Sequence, residues 1–214
     1  MTGIASFLIW VPPILLAITF HEFSHGYAAY LLGDPTAAYA GRLSLNPLRH
    51  LDPLGTIMLL FVHIGWAKPV PIDPRNFKNP KRGILLTSLA GPASNMLLAF
   101  LFGLVYRLWV NLFPSAIYIE GSTLHILAVM FLVTVQINLI LAVFNLIPIP
   151  PLDGSKILFG LLPREYDRMF YQLEMMGPFL LIGLIIFSEF SGLPILSALI
   201  YPFVGFFTKI FAGV

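Results

Sequence analysis

Five apolar runs, at about residues 4–32, 84–112, 123–147, 169–188 and 193–212, dominate this sequence. Each reaches or nearly reaches the ~20 residues that a helix needs to cross the hydrocarbon core of a bilayer. No water is available there, so the chain must satisfy its own backbone polar groups, and such runs fold as helices. The predicted fold class is therefore an all-α polytopic membrane protein. About five transmembrane helices form a single integral-membrane domain over residues 1–214. Composition agrees: 58% of residues are hydrophobic and 10% charged, against about 25% charged in soluble domains. A net charge of +2 gives no support to a nucleic-acid partner. The absence of cysteine excludes disulfides and thiolate zinc sites. The first basic residue is Arg42, so the first run lacks the charged start of a cleaved signal peptide and is expected to remain in the mature chain.

Two weaker regions interrupt the helical pattern. Residues 54–66, LGTIMLLFVHIGW, are apolar but only 13 long, which suits a re-entrant or interfacial piece. Residues 67–83, AKPVPIDPRNFKNPKRG, are polar and proline-rich, hence poor helix formers. Together they suggest a re-entrant, β-hairpin-like element over about 41–80. Seven of the twelve Lys and Arg residues lie in 33–83 and three more in 153–168. By the positive-inside rule both stretches are cytoplasmic. The first helix then starts outside and ends inside, the third also runs inward, and five spans place the C-terminus inside. Arg107, near the outer end of the second helix, is expected to snorkel to the interface.

The first run contains ITFHEFSHGYAAYLL, residues 18–32. His21 and His25 are four residues apart and share one helix face, so both imidazoles can reach one Zn²⁺. Glu22 stands beside them as a candidate general base. Ionisable residues within spans cost about 2.5–3.5 kcal/mol each on insertion scales, which favours a functional reason for keeping them. Zinc needs a third protein ligand and an open position. His50, His63, His125, Asp52, Asp153 and Glu174 lie in or near apolar segments. Asp153 ends the stretch NLIPIPPLDG, residues 145–154, where Pro148, Pro150 and Pro151 must break the third helix. The charge-derived topology brings that break to the same membrane level as His21 and His25. His50 reads as a loop or interfacial residue. His63 reads as a hairpin polar residue with a possible contact to the site, and His125 as the outer start of the third helix.

With HEFSH and NLIPIPPLDG on one chain, the sequence resembles the site-2 protease family of intramembrane zinc metalloproteases. The family pattern NxxPxPxLDG is matched at Asn145, Pro148, Pro150, Leu152, Asp153 and Gly154. GRLSLNPLRHLDPLGTI (41–57), GWAKPVPI (65–72) and AGPASN (90–95) also resemble its compact bacterial branch, without a PDZ-like or nucleotide-sensing insertion. The resemblance covers about residues 15–160. It implies one zinc per chain, held by His21, His25 and Asp153, with Glu22 as catalytic base and Asn145 contacting substrate or stabilising the oxyanion. It further implies a membrane-spanning protein or peptide as substrate. The setting would be the plasma membrane of a prokaryote, with the active site towards the cytoplasm.

A substrate helix must unwind before hydrolysis, and AKPVPID offers an edge to receive it. In an extended chain Pro69 and Pro71 supply no N–H to one edge, while Val70 and Ile72 present theirs on the other. These two residues are the candidates for pairing with a substrate strand. The small residues of LAGPASNMLLAF, 89–100, suit close helix packing, and Asn95 could hydrogen-bond near the site. A membrane transporter or ion channel, and a catalytically inactive metal-binding scaffold, are the alternatives from other classes. The residues assign no oligomeric state and no role to the helices after about 165.

Overall fold

The computed structural model describes residues 3–62 and 65–214. His63 lies outside the described residues, and so does any contact expected of it. In chain order the helices are α1 (Gly3–Leu31), α2 (Thr36–Tyr39), α3 (Pro53–Val62), α4 (Pro80–Leu112), α5 (Ser115–Tyr118), α6 (Thr123–Asn145), α7 (Asp153–Leu161), α8 (Asp167–Ser191) and α9 (Ile195–Ala212). Helices α4, α6 and α9, and the stretch Arg164–Ser188 that takes in most of α8, are long and apolar enough to cross a membrane. The protein is thus an all-α integral membrane protein. The fifth expected span, α1, is 29 residues long but carries His21, Glu22 and His25.

Local sequence explains the helix ends. Asn79 caps α4 through its side-chain oxygen, which accepts the Arg82 N–H at 3.2 Å, and Pro80 follows at the first helical position. Ser122 caps α6 in the same way through the His125 N–H. The prolines after Asn145 end α6, and α7 restarts at Asp153. Gly154 allows this reversal: a Cβ there would lie 2.2 Å from the Leu146 carbonyl oxygen.

α4 is the central element and packs on α1, α6, α7 and α9. One core cluster joins Ala99 of α4, Val135 and Leu139 of α6, and Ile200 and Val204 of α9. A second joins Ile9 and Ala17 of α1 to Val133 and Ile137 of α6. The α9 packing corrects the expected position of the C-terminus. Ala212 clusters with Tyr106 near the end of α4 and with Ala128 near the start of α6. A Cβ at Gly103 would lie 2.8 Å from the backbone of Phe211. α9 therefore runs parallel to α4, and the described C-terminus lies at the opposite end from the basic loops. Hydropathy counts crossings but carries no direction, and α8 breaks the count. It starts with an Asp167–Lys81 ion pair of 2.6 Å at the beginning of α4, and residues 192–194 join its end to the α9 end that lies far from Ala212. Arg107 does not snorkel freely. Its guanidinium donates to the Lys209 and Ile210 carbonyls at the end of α9, where a cation suits the helix dipole.

The region 41–80 also differs from the expected hairpin. Among the described residues no β-strand forms, and Leu51 and Ala67 make an isolated antiparallel bridge. The Lys68 N–H donates to the His50 carbonyl at 2.9 Å beside it. Pro69, Pro71 and Pro74 lack N–H groups, so the ladder cannot extend. The short apolar piece is α3, ten residues, or about 15 Å, too short to span.

Residues 67–73 instead lie extended and are anchored by side chains. Asp34, fully buried after α1, accepts hydrogen bonds from the Asp73 N–H at 2.8 Å, Asn76 Nδ2 at 2.7 Å, and the Thr36 N–H and hydroxyl. Burial pushes its pKa up, but these donors outweigh burial and hold it below the ordinary carboxylate value.

Candidate metal centre

His21 and His25 lie one turn apart on α1, and Asp153 is the first residue of α7. All three are buried. Their donor atoms converge. His21 Nε2 is 3.0 Å from His25 Nε2, and Asp153 Oδ2 is 3.1 Å from the first and 3.2 Å from the second. The two rings meet edge to face at 87°.

The outer nitrogens fix the protonation of this triangle. His25 Nδ1 lies 2.8 Å from the Thr87 carbonyl oxygen, which can only accept, so Nδ1 carries the hydrogen. His21 Nδ1 lies 2.6 Å from Asn95 Oδ1. Asn95 Nδ2 donates to the Ala17 carbonyl at 3.1 Å and to Asn138 Oδ1 at 2.8 Å, which orients the amide with its oxygen towards His21. In the neutral rings both Nε2 atoms are therefore bare lone pairs facing a carboxylate oxygen. Such a triangle repels itself unless a proton or a metal cation lies within it. Tetrahedral zinc with ligands at ~2.0–2.1 Å spaces its donors about 3.3 Å apart, close to the distances found here. Hydrogen bonding of the remote imidazole nitrogen is also the usual support for a metal-binding histidine. The residues fit a zinc ion.

Small residues on α4 make the convergence possible. A Cβ at Gly91 would lie 2.5 Å from His25 Cε1 and Nε2 and 2.7 Å from His21 Cε1. Only a glycine lets α4 lie directly over both rings. Asn138 continues the polar network by donating to the Thr134 carbonyl at 2.8 Å, and both asparagines are fully buried.

The other sequence-derived residues separate into two groups. Glu22 stands at the edge of the cluster, and its Oε2 accepts the Val70 N–H at 3.0 Å. The extended segment thus reaches the site through Val70, which is buried; the Ile72 N–H makes no hydrogen bond among the described residues. Asn145 is not joined to the cluster by hydrogen bonds, and its Nδ2 donates to the Leu141 carbonyl at 3.0 Å. His50 is in a loop, as expected, but fully buried rather than interfacial, with Nε2 donating to the Ser44 carbonyl at 2.7 Å. His125 lies at the start of α6, its Nδ1 donating to the Ala116 carbonyl. Sequence reasoning missed Asn138 and the Thr87 carbonyl. An asparagine inside an apolar run was a usable signal for the first; a backbone acceptor leaves none.

A family model, peptidase family M50, matches residues 112–186. The chain is 39% identical over 189 residues to YwhC of Bacillus subtilis, named as a candidate zinc metalloprotease, covering 88% of this chain and 82% of that protein. It is 30% identical over 193 residues to Rip2 of Mycolicibacterium smegmatis, named in the same way, covering 87% and 70%. A shorter similarity, 39% over 71 residues, links it to MJ0611 of Methanocaldococcus jannaschii, also named so. No solved structure matches the chain.

Proposed function

The chain belongs to peptidase family M50, the site-2 proteases, and from that membership we propose that it is an intramembrane zinc metalloprotease. Its substrates are membrane-spanning protein segments, and residues 1–214 act as one catalytic unit. The observation that carries this reading is the buried triangle of His21 Nε2, His25 Nε2 and Asp153 Oδ2, with a carboxylate, Glu22, at its edge.

His21, His25 and Asp153 would hold one zinc per chain. When bound, zinc supplies Lewis-acid chemistry, polarising a carbonyl and lowering the pKa of water towards ~7. Glu22 takes the proton from the attacking water and returns it to the leaving amine nitrogen. The Val70 N–H fixes Oε2 of that carboxylate, and among the described residues Oε1 makes no hydrogen bond, so it is free to accept the proton. Val70 and Ile72 share one backbone edge; with the Val70 N–H held by Glu22, a substrate strand pairs first through the Ile72 N–H, which makes no hydrogen bond among the described residues, and so lies beside Glu22. Asn145 stabilises the developing oxyanion after its amide leaves the Leu141 carbonyl, a contribution of about 3 kcal/mol.

α1, α4, α6 and α9 cross the bilayer, and the basic loops with the metal centre face the cytoplasm. Both described ends of the chain then face outward. The compact branch of the family points to a prokaryotic plasma membrane.

The test is purification with a metal assay and a membrane-spanning peptide as substrate. Glu22→Gln is expected to keep stoichiometric zinc and lose cleavage, whereas His21→Ala loses both. Normal cleavage by Glu22→Gln would sink the mechanism. Zinc-free wild-type protein with transport activity would favour a transporter.

A further inference from the structure

Three side chains hold the extended segment across α1: Asp34, Glu22 and Arg42. Arg42 is buried, and its two terminal nitrogens donate to consecutive carbonyls, Lys68 at 2.6 Å and Pro69 at 3.2 Å. Among the described residues its Nε has no partner and no carboxylate pairs with it. A buried cation without a counter-ion is costly. Stiffening the segment does not require that cost, because Pro69, Pro71 and Pro74 already restrict it.

The second of these carbonyls, that of Pro69, belongs to the same planar peptide group as the Val70 N–H, which meets Glu22. The Val70 side chain is packed down beside Gly26. A Cβ at Gly26 would lie 3.1 Å from Val70 Cγ1 and 2.9 Å from Leu43, the neighbour of Arg42. The order of constraint is direct. The guanidinium fixes residues 68–69, they set the direction of the Val70 N–H, and that N–H sets Glu22.

We propose that Arg42 is a positioning residue for peptide hydrolysis, holding residues 68–70 so that the Val70 edge stands against the Glu22 carboxylate. The inference rests on the proteolytic role of Glu22. A planar fork spans two adjacent carbonyls, which the single ammonium of lysine cannot do with the same geometry. Asp34 anchors the far end of the segment at Asp73 and does not share this line.

The experiment compares Arg42→Gln, Arg42→Lys, Val70→Pro and the Arg42→Gln/Val70→Pro double variant. Each is the full chain loaded with zinc and assayed on a membrane-spanning peptide. Arg42→Gln is expected to lower kcat/KM about tenfold or more with zinc content unchanged, and Arg42→Lys to recover part of the loss. The double variant is expected to be no worse than Val70→Pro alone, because the contact through which Arg42 acts is already gone. Losses that multiply, zinc that falls in step with activity, or wild-type rates for Arg42→Gln each overturn the proposal. Wild-type cleavage by Glu22→Gln would instead overturn the catalytic role of Glu22, and the proposal with it, while no cleavage by the zinc-loaded wild-type chain would overturn the proteolytic reading itself.

Discussion

α4 and α8 are both long, apolar and interrupted by a proline, yet they do opposite things in this molecule. α4 buries Gly91, Pro92 and Asn95 beside the imidazoles and packs against α1, α6, α7 and α9. α8 leaves Met175, Phe179 and Phe190 exposed, with Phe190 at 88%. Its described contacts lie mostly in its first half, where Phe170 stacks on Phe159 at 4.3 Å and Gly177 meets Pro150. Bulk apolarity suits α8 to lipid but specifies no neighbour. In α4 the small and polar residues specify neighbours, because lipid competes equally well for purely apolar faces.

The sharpest way to break the comparison is to place the same side chain on a glycine of each helix. Gly91→Val drives a Cβ into both histidine rings, so zinc stoichiometry and cleavage should fall to background. A Cβ at Gly183 in α8 meets nothing within 4 Å, so Gly183→Val should leave zinc content and activity at wild-type values. Equal losses in metal assays of the two variants would erase the distinction.

A smaller effect is expected one shell further out. Asn95→Ala removes the acceptor at His21 Nδ1 and should weaken zinc about 10–100-fold in a chelator competition. Phe179→Ala on α8 should leave that affinity unchanged. The smallest effect belongs to the tie between the helices. Lys81→Ala breaks the ion pair with Asp167 and the contact of Lys81 Nζ over the Phe159 ring, 4.7 Å from its centroid. The pair is partly exposed, so the expected loss is within about 1 kcal/mol, read as a small drop in Tm with zinc retained.

The apolar runs made the long helices legible, because a spanning helix has one length and few substitutes. The break at 148–151 was legible because proline removes donors wherever it stands. The side chains that converge in the buried cluster were legible through residue chemistry: His21 and His25 need only helical spacing, and Asp153 follows the break. Other features depend on contacts between elements. The direction of α9 is set by Phe211 against Gly103 and by Ala212 among α4 and α6 residues, and no periodicity encodes it. The hairpin expectation reaches no further than the Leu51–Ala67 bridge among the described residues, because alternation in 67–72 describes an extended chain and supplies no partner strand. Its partners are the side chains of Arg42, Glu22 and Asp34, remote in sequence. Asn145 carried a motif position, but its amide is satisfied within its own helix.

The amide of Asn95 has a mechanical consequence. Through His21, the Ala17 carbonyl and Asn138 it fastens α1, α4 and α6 at a single point. A one-turn slide of α4, about 5.4 Å, would break all three bonds and leave buried amide groups without partners in a medium that offers none. These three helices therefore move as one body. The freedom needed to admit and release a polypeptide falls to what lies outside that clamp, namely the extended segment over Glu22 and the loosely seated α8. Stiffness around His21 and His25 and looseness at their borders are thereby assigned to different stretches of one short chain.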